Sequence, residues 1–326
     1  MTAPSDRKIF KKMPDYNTLS DGFAPKGGLV ARTQGVLRPL VSPGQPYALL
    51  DYPLYNNPGD AAIWVGARRL LEAVMQRPPA HVSTLGGFDA AACRRAIGEG
   101  MIFILGGGNF GSLYPRHHAH KLDMIRRMPD NSILHLPFSI AGTDPRIMAE
   151  TARVLAGHGQ VHLIAREGHS QALVAEHLGL SVPMAPDTAH ALTPVPHLPL
   201  QAQTRLIRRD RETRAAEATG PDDWDWSDLG GLRRVNRLGK LAYHLTRGAR
   251  RARALDRLAA SRVEIACDRL GQAQTVVTDR LHGMILALLL GRPVTAHDNA
   301  TGKLRAYVES WGAELGPVTL RDIPPA

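Results

Sequence analysis

Residues 101–111, MIFILGGGNFG, set an apolar run of strand length directly against a glycine-rich loop. Such a run, ended by glycines, reads as a strand buried on both faces. Glycines at its carboxyl end let a backbone come close to a ligand or a neighbouring segment. The same alternation extends both ways. Upstream, PYALLDYPLYNN (46–57) reads as a buried strand running into a loop, and Asn57, Pro58, Gly59 and Asp60 turn the chain into a helix beginning near Ala61. HVSTL (81–85) and AAACRRAIGEG (90–100) follow as strand and helix. Downstream, ILHLPF (133–138) is a strand, VHLIARE (161–167) another, QALVAEHLG (171–179) a helix, and VPMAPD (182–187) a short strand ending in an acid. This rhythm predicts an α/β fold with a parallel, doubly wound sheet. The restart at VHLIARE reads as the opening of a second sheet.

At 326 residues the chain calls for two domains of roughly 150 residues. We place them at 1–155 and 156–326, the second interrupted by a basic insert at about 193–262. From Leu192 to Asp228 no period is sustained, which reads as a linker or loop. Leu232, Val235, Leu238, Leu241 and Leu245 then recur at helical spacing with arginines and Lys240 between them, a basic amphipathic helix. QTVVTD (274–279) and RPVTAHD (292–298) read as strands, MILALLL (284–290) and LRAYVESWG (304–312) as helices.

A formal net charge of +10 calls for an anionic partner: nucleic acid, an acidic membrane surface or a phosphorylated substrate. Aromatic residues make up only 5% of the chain, which argues against the interleaved basic and aromatic surface of a nucleic-acid binder. The two cysteines, Cys93 and Cys267, lie far apart, and the N-terminal MTAPSDRKIFKKMPDYN lacks the apolar run of a signal peptide. The apolar stretch after His282 is too short to span a bilayer. These features predict a cytoplasmic protein.

Several motifs carry chemistry. Gly106, Gly108 and Gly111 satisfy G-x-G-x-x-G, yet the acid a dinucleotide site needs after the next strand is missing. The loop is then either a tight structural turn or a ligand-facing wall. Asp60 stands at a helix mouth, placed to cap free amides or to face a cleft as a base. Arg280 and His282 lie two apart at a strand end, so guanidinium and imidazole project together, with a helix N-terminus adding a positive field. Arginine suits a carboxylate or phosphate and histidine delivers a proton near neutral pH. Arg166 also follows a strand, which suggests a doubly anionic small ligand, the alternative being that it simply pairs with Glu167 or Asp187. His117, His118 and His120 have no acid or cysteine at ligand spacing, so no metal is expected. Trp224 and Trp226 either stack on a sugar ring or pin their loop.

In order and spacing these motifs resemble the polysaccharide pyruvyl transferases. The likeness runs from NNPGDAAI (56–63) through FILGGGNFG (103–111), LIAREGHS (163–170) and PMAPDTAHAL (183–192) to TDRLHGMILALLLGRPV (278–294) and AHDNATGK (296–303). Glu167 stands where the family commonly has Asp. The resemblance implies a GT-B-like architecture, two Rossmann-like domains with parallel sheets facing a central cleft. It implies phosphoenolpyruvate as co-substrate, no separate cofactor, and transfer of pyruvate as a ketal to a hexose of a polyprenyl-diphosphate-linked oligosaccharide. By resemblance Arg166, Arg280 and His282 form the donor site, with Ser170 in place in the Arg166 motif; the chemistry of ketal formation makes His282 the general acid and Asp60 a candidate base. Asn57, Gly107, Gly108, Asn109 and Lys303 complete the expected substrate contacts. The basic helix offers a peripheral contact with the anionic inner face of the inner membrane. The rival reading is a GT-B nucleotide-sugar glycosyltransferase of surface polysaccharide synthesis, because fold alone does not decide function.

Overall fold

The computed structural model describes residues 27–196, 198–210, 212–213 and 220–321, and the N-terminal leader lies outside them. The first half runs α1 (Gly27–Leu37), β1 (Tyr47–Tyr52), α2 (Pro58–Met75), β2 (His81–Thr84), α3 (Ala90–Ile97), β3 (Met101–Ile104) and β4 (Gly107–Phe110). It continues with α4 (Pro115–Arg127), β5 (Ile133–Ile140), α5 (Pro145–His158), β6 (Val161–Ala165) and α6 (Gly168–Leu178). The second half holds β7 (Gln201–Leu206), α7 (Gly231–Leu245), α8 (Gly248–Gly271), β8 (Ala273–Thr278), α9 (Leu281–Leu289), β9 (Val294–His297), α10 (Lys303–Leu315) and β10 (Val318–Arg321).

Every strand pair is parallel. In the first sheet β3 and β4 lie one after the other along the same edge of β5. Ile102 pairs with Ile133, and Gly107 with Phe138, while β6 takes the opposite edge. The glycine-rich loop is thus the kink inside one broken strand. The sequence reading opens a second sheet at VHLIARE, and the structure corrects this: β6 pairs with β5, Val161 with Ile133 through Ala165 with Phe138. An apolar strand pattern says that a segment is buried but not which neighbour it takes. A crossover through α5 brings it to the free edge of β5. The change of sheet falls between β6 and β7, beyond the expected boundary at 155, and VPMAPD adds only a single bridge from Met184 to Ala165.

The second sheet has the order β10-β9-β8-β7. Its β7 lies inside the segment expected to be a loop. Polar outward residues on this edge strand, Gln201 and Gln203, disguised its pattern.

Strand alternation divides the core in two. Tyr47, Leu49, Phe103 and Leu105 face a cluster that continues through α2, α8, α9 and α10, whereas Ala48, Leu50, Ile102 and Ile104 face α3 to α6. The first cluster therefore joins both sheets. At its centre Arg68 of α2 pairs with Asp256 of α8 at 3.1 Å, and Trp64 Nε1 donates to the same carboxylate at 2.8 Å. Tyr52 Oη donates to the Leu255 carbonyl at 3.1 Å.

The basic helix forms as α7, but its leucines do not share one buried stripe. The seam against α8 is Leu232, Asn236, Gly239 and Tyr243, and Asn236 accepts from Arg262. A Cβ at Gly239 would stand 2.0 Å from Leu258 Cδ2. Asn and Gly look neutral in a hydrophobic pattern, which is why the expected stripe missed the true seam.

Candidate active site

Residues at the carboxyl ends of strands in both sheets line one cleft of about 790 Å3, within the roughly 300–1,000 Å3 that small-molecule sites occupy. Its centre is built on Asp187. Arg166, directly after β6, donates Nη1 to Asp187 Oδ2 at 2.6 Å, and Nε and Nη2 to Ser139 Oγ at 3.1 and 2.6 Å. His282 Nε2 lies 3.2 Å from the same Asp187 Oδ2. Burial alone would raise the Asp187 carboxyl, but His282 and Arg166 outweigh it and hold the group well below the usual carboxylate range. An ionised carboxylate only accepts hydrogen bonds, so Nε2 of His282 carries the proton.

Arg280 and His282 both line the cleft, though not from one extended strand end. β8 stops at Thr278, Arg280 is the last extended residue, and His282 already belongs to the first turn of α9. Arg280 is gripped by Asp225, Nε to Oδ1 at 2.5 Å and Nη2 to Oδ2 at 2.7 Å, with Asp210 Oδ2 at 3.1 Å from Nη2. This bidentate geometry fixes the plane of the guanidinium. The DDWDWSD segment is therefore a wall rather than a linker. Trp224 and Trp226 are buried, and Trp224 Nε1 donates to Thr204 Oγ1 at 2.8 Å. Trp224 pins the segment; Trp226 also borders the cleft.

The opposite wall comes from α2 and β4. α2 begins at Pro58 rather than near Ala61 because Asn57 is its cap, accepting from the Gly59 amide at 2.9 Å. Asp60 is thereby released from capping. Its Oδ2 accepts from Tyr55 Oη and Asn57 Nδ2, both at 2.8 Å, and it lines the cleft. Gly59 packs on the catalytic candidate: a Cβ there would lie 2.8 Å from both Cβ and Nδ1 of His282. The glycine-rich motif divides its labour. Gly106 and Gly111 allow close packing, a Cβ at Gly106 meeting the Pro137 carbonyl at 2.2 Å and Gly111 having φ +109. Gly108 keeps the cleft open, since a Cβ there would lie 3.0 Å from Lys303 Nζ and 3.6 Å from Arg166 Nη2.

Lys303, first residue of α10, donates to the Gly108 carbonyl at 3.1 Å and to Glu212 Oε1 at 3.3 Å. Tyr114 Oη donates to the same Glu212 oxygen at 2.5 Å, tying the two halves together across the cleft. Burial pushes the Lys303 amine down, with Glu212 partly offsetting it. Behind the lining, buried Lys121 donates to Asp51 Oδ2 at 2.6 Å and to Asn109 Oδ1 at 2.8 Å, which sets the Asn109 amide at the cleft wall.

Of the expected residues, Asp60, Asn57, Gly108, Asn109, Arg166, Arg280, His282 and Lys303 converge on this cleft. Gly107 and Ser170 are not in its lining. Ser170 is buried, accepts from the Ile140 amide at 2.8 Å and donates to Glu167, which in turn holds Ser139 behind Arg166. The three histidines of HHAH part ways. His118 bridges the Gly111 amide and Thr151 Oγ1, His117 meets Asn109, and His120 lies edge-on to Phe88. Among the described residues no group of three His, Cys, Asp or Glu is placed to hold a metal. Sequence reasoning missed Tyr55, Tyr114, Arg208, Asp210, Glu212 and Asp225 in the lining, and the hub role of Asp187. These lining residues lie outside any recognisable local motif, and only their charged or aromatic character marked them.

Fold and site together define a parallel α/β protein with a cleft lined by arginines, Lys303 and His282. A family model described as polysaccharide pyruvyl transferase matches residues 57–300, and the chain belongs to that family. The match takes in Asp60, Arg166, Asp187, Arg280 and His282 and stops short of Lys303. EpsO of Bacillus subtilis strain 168, provisionally named a pyruvyl transferase, is 29% identical over 80% of this chain and 84% of its own. Pyruvyl transferase 1 of Schizosaccharomyces pombe is 24% identical over 81% of this chain and 69% of its own. The crystal structure of an uncharacterized protein from Klebsiella pneumoniae superposes with a TM-score of 0.61 at 18% identity, covering 90% of this chain and 98% of that one. That likeness concerns the fold alone.

Proposed function

We propose that the enzyme transfers pyruvate from phosphoenolpyruvate to a hexose of a lipid-linked polysaccharide repeat unit, forming a pyruvate ketal and releasing phosphate. The observation that carries this reading is the sharing of Asp187 by Arg166 and His282, with Arg280 across the same cleft. It supplies a proton carrier flanked by two guanidinium groups, which suits a small donor bearing carboxylate, phosphate and a carbon to be protonated.

In this scheme His282 acts as an imidazolium: its Nε2–H stays on Asp187 and its Nδ1 proton goes to the methylene carbon of phosphoenolpyruvate, making the methyl group and leaving an oxocarbenium-like C2. A sugar hydroxyl attacks C2 and loses its proton to Asp60. The bond from C2 to the phosphate oxygen breaks, and a second hydroxyl of the same sugar closes the ketal. One proton ends on the methyl carbon and one on the departing phosphate, and His282 is recharged from the hydroxyl protons. Arg166, Arg280 and Lys303 hold the donor's charges and stabilise phosphate as it leaves. The scheme needs no further cofactor. Asp187 is a positioning residue: it fixes the imidazole ring and neutralises Arg166. We further propose a GT-B-like division in which α2 and β4 of the first half carry the acceptor side. The donor side draws on the second half together with Arg166 of the first.

The test is incubation with carbon-13-labelled phosphoenolpyruvate and lipid-linked glycans extracted from cells that make surface polysaccharide. The expected result is a ketal methyl signal with equimolar inorganic phosphate. Turnover of a sugar nucleotide on the same glycans, with phosphoenolpyruvate untouched, would replace this reading with that of a glycosyltransferase.

A further inference from the structure

The outward face of the α7–α8 hairpin sets exposed leucines beside a row of cations. With the inward seam of α7 held by Gly239 against Leu258 and by Asn236 on Arg262, the helix cannot roll. Leu238, Leu241 and Leu245 are left 58%, 56% and 74% exposed. Their spacing of three and four residues lines them up as one apolar ridge. Beside the ridge, Arg233, Arg234, Arg237 and Lys240 are exposed on the same helix, and Arg247, Arg250, Arg253 and Arg257 prolong the cationic strip along α8. From Leu229 to Val263 the single acid in the sequence is Asp256. That carboxylate is buried against Arg68 and Trp64, so it does nothing to offset the outward charge.

We infer that this face docks the enzyme on an anionic phospholipid bilayer, the leucine ridge entering the headgroup boundary and the cations meeting lipid phosphates. Three observations select that occupant. A second copy of the chain would bring an identical cationic strip against this one, and like charges oppose that contact. A nucleic acid would leave the leucines in water and find no aromatic platform, because Tyr243 is turned inward. A bilayer surface satisfies ridge and charge at once. No helix among the described residues is long and apolar enough to cross a membrane, so the contact is peripheral.

The placement also serves the cleft. Ser227 and Trp226 line it, and α7 starts at Gly231, so the hairpin is joined directly to the cleft wall that grips Arg280. α7 has 15 residues, roughly 22 Å at about 1.5 Å per residue. Docking along this helix keeps the cleft within reach of a sugar carried on a membrane-embedded diphosphate, a clause that rests on the lipid-linked acceptor proposed above. Docking itself does not depend on the donor or acceptor.

The full chain is floated with vesicles of phosphatidylglycerol mixed into phosphatidylcholine, and with phosphatidylcholine alone, at low and raised salt. We expect binding to the anionic vesicles that weakens with salt, and little to the neutral ones. The combined Leu238→Ser, Leu241→Ser and Leu245→Ser variant should lose at least about tenfold in vesicle affinity and keep its binding of phosphoenolpyruvate in solution. Arg234→Glu with Arg237→Glu gives a second readout, with the same loss expected, should the serine variant unfold. No binding to anionic vesicles, or binding that the serine variant retains in full, overturns the inference. So does a concentration-dependent dimer that the serine variant dissolves. None of these outcomes touches the donor reading, which is decided separately by phosphoenolpyruvate binding.

Discussion

At the scale of single residues Asp187 holds both Arg166 and His282. His282→Ala should lower kcat by roughly 10²–10⁴-fold, the range for a positioned general acid, while donor affinity stays near that of the wild type. Comparing turnover with equilibrium binding checks this split. Asp187→Asn should lower kcat and alter the shape of its pH profile, effects that a purely structural residue would not produce together. It should also change acid stability. The folded carboxyl sits below its ordinary value of 3.8, so its contribution is present above that pH and is lost as pH falls below it. The Asn variant should lose that part of the acid limb of the unfolding profile. Arg166, Arg280, His282 and Asp60 were legible in the sequence because each stands where a strand gives way to a loop or helix. Asp187 was legible only as a partner for Arg166. Its bond to His282 spans 95 positions, and no local pattern encodes such a distance.

At the scale of elements, α2 and α9 meet where Gly59 lets His282 pack. Gly59→Ala would place a Cβ 2.8 Å from the His282 Cβ and Nδ1. The ring must shift, and a displacement of about 1 Å at a reacting group costs on the order of 10²-fold in rate. We expect that loss together with a lowered thermal midpoint, because overpacking typically costs about 1–3 kcal/mol, and a fully active variant would show that His282 is not held there. Asp225→Asn should weaken phosphoenolpyruvate binding far more than it lowers kcat at saturation, because it loosens the plane of Arg280 and leaves His282 in place. The β/α rhythm revealed β1, β2, β3, β5, β6, β8 and β9 and the helices α2, α3, α6, α9 and α10, but passed over α1, α5, α8, β4 and β10. It failed at β7, whose polar outward residues hide an edge strand. It also failed for α7, where Leu232, Asn236, Gly239 and Tyr243 form the buried seam and Leu238, Leu241 and Leu245 do not. In both places tertiary partners overrode the hydrophobic pattern, and the exposed leucines are a consequence.

At the scale of the whole molecule, one apolar cluster runs from β1 and α2 through α8 and α9 to α10, so the halves should unfold together in a single calorimetric transition. Asp256→Ala strips Arg68 of its buried carboxylate, which typically costs about 3–5 kcal/mol, and should lower that one transition rather than split it. Buried histidines set the pH response. Burial pushes His118 and His190 down to about 4 and His135 to about 3, from 6.5. The unfolded chain takes up these protons first, so stability is lost as pH falls from about 6.5 toward 4, on the order of 2 kcal/mol per group by pH 5. A thermal midpoint that is flat between pH 7 and 5 would contradict this. The functional reading depends on the donor, and calorimetric titration with phosphoenolpyruvate tests it without knowledge of the acceptor. We expect binding by the wild type and by His282→Ala, and none by Arg280→Ala. Absence of phosphoenolpyruvate binding by the wild type, with binding of UDP-glucose or GDP-mannose in its place, would contradict the account.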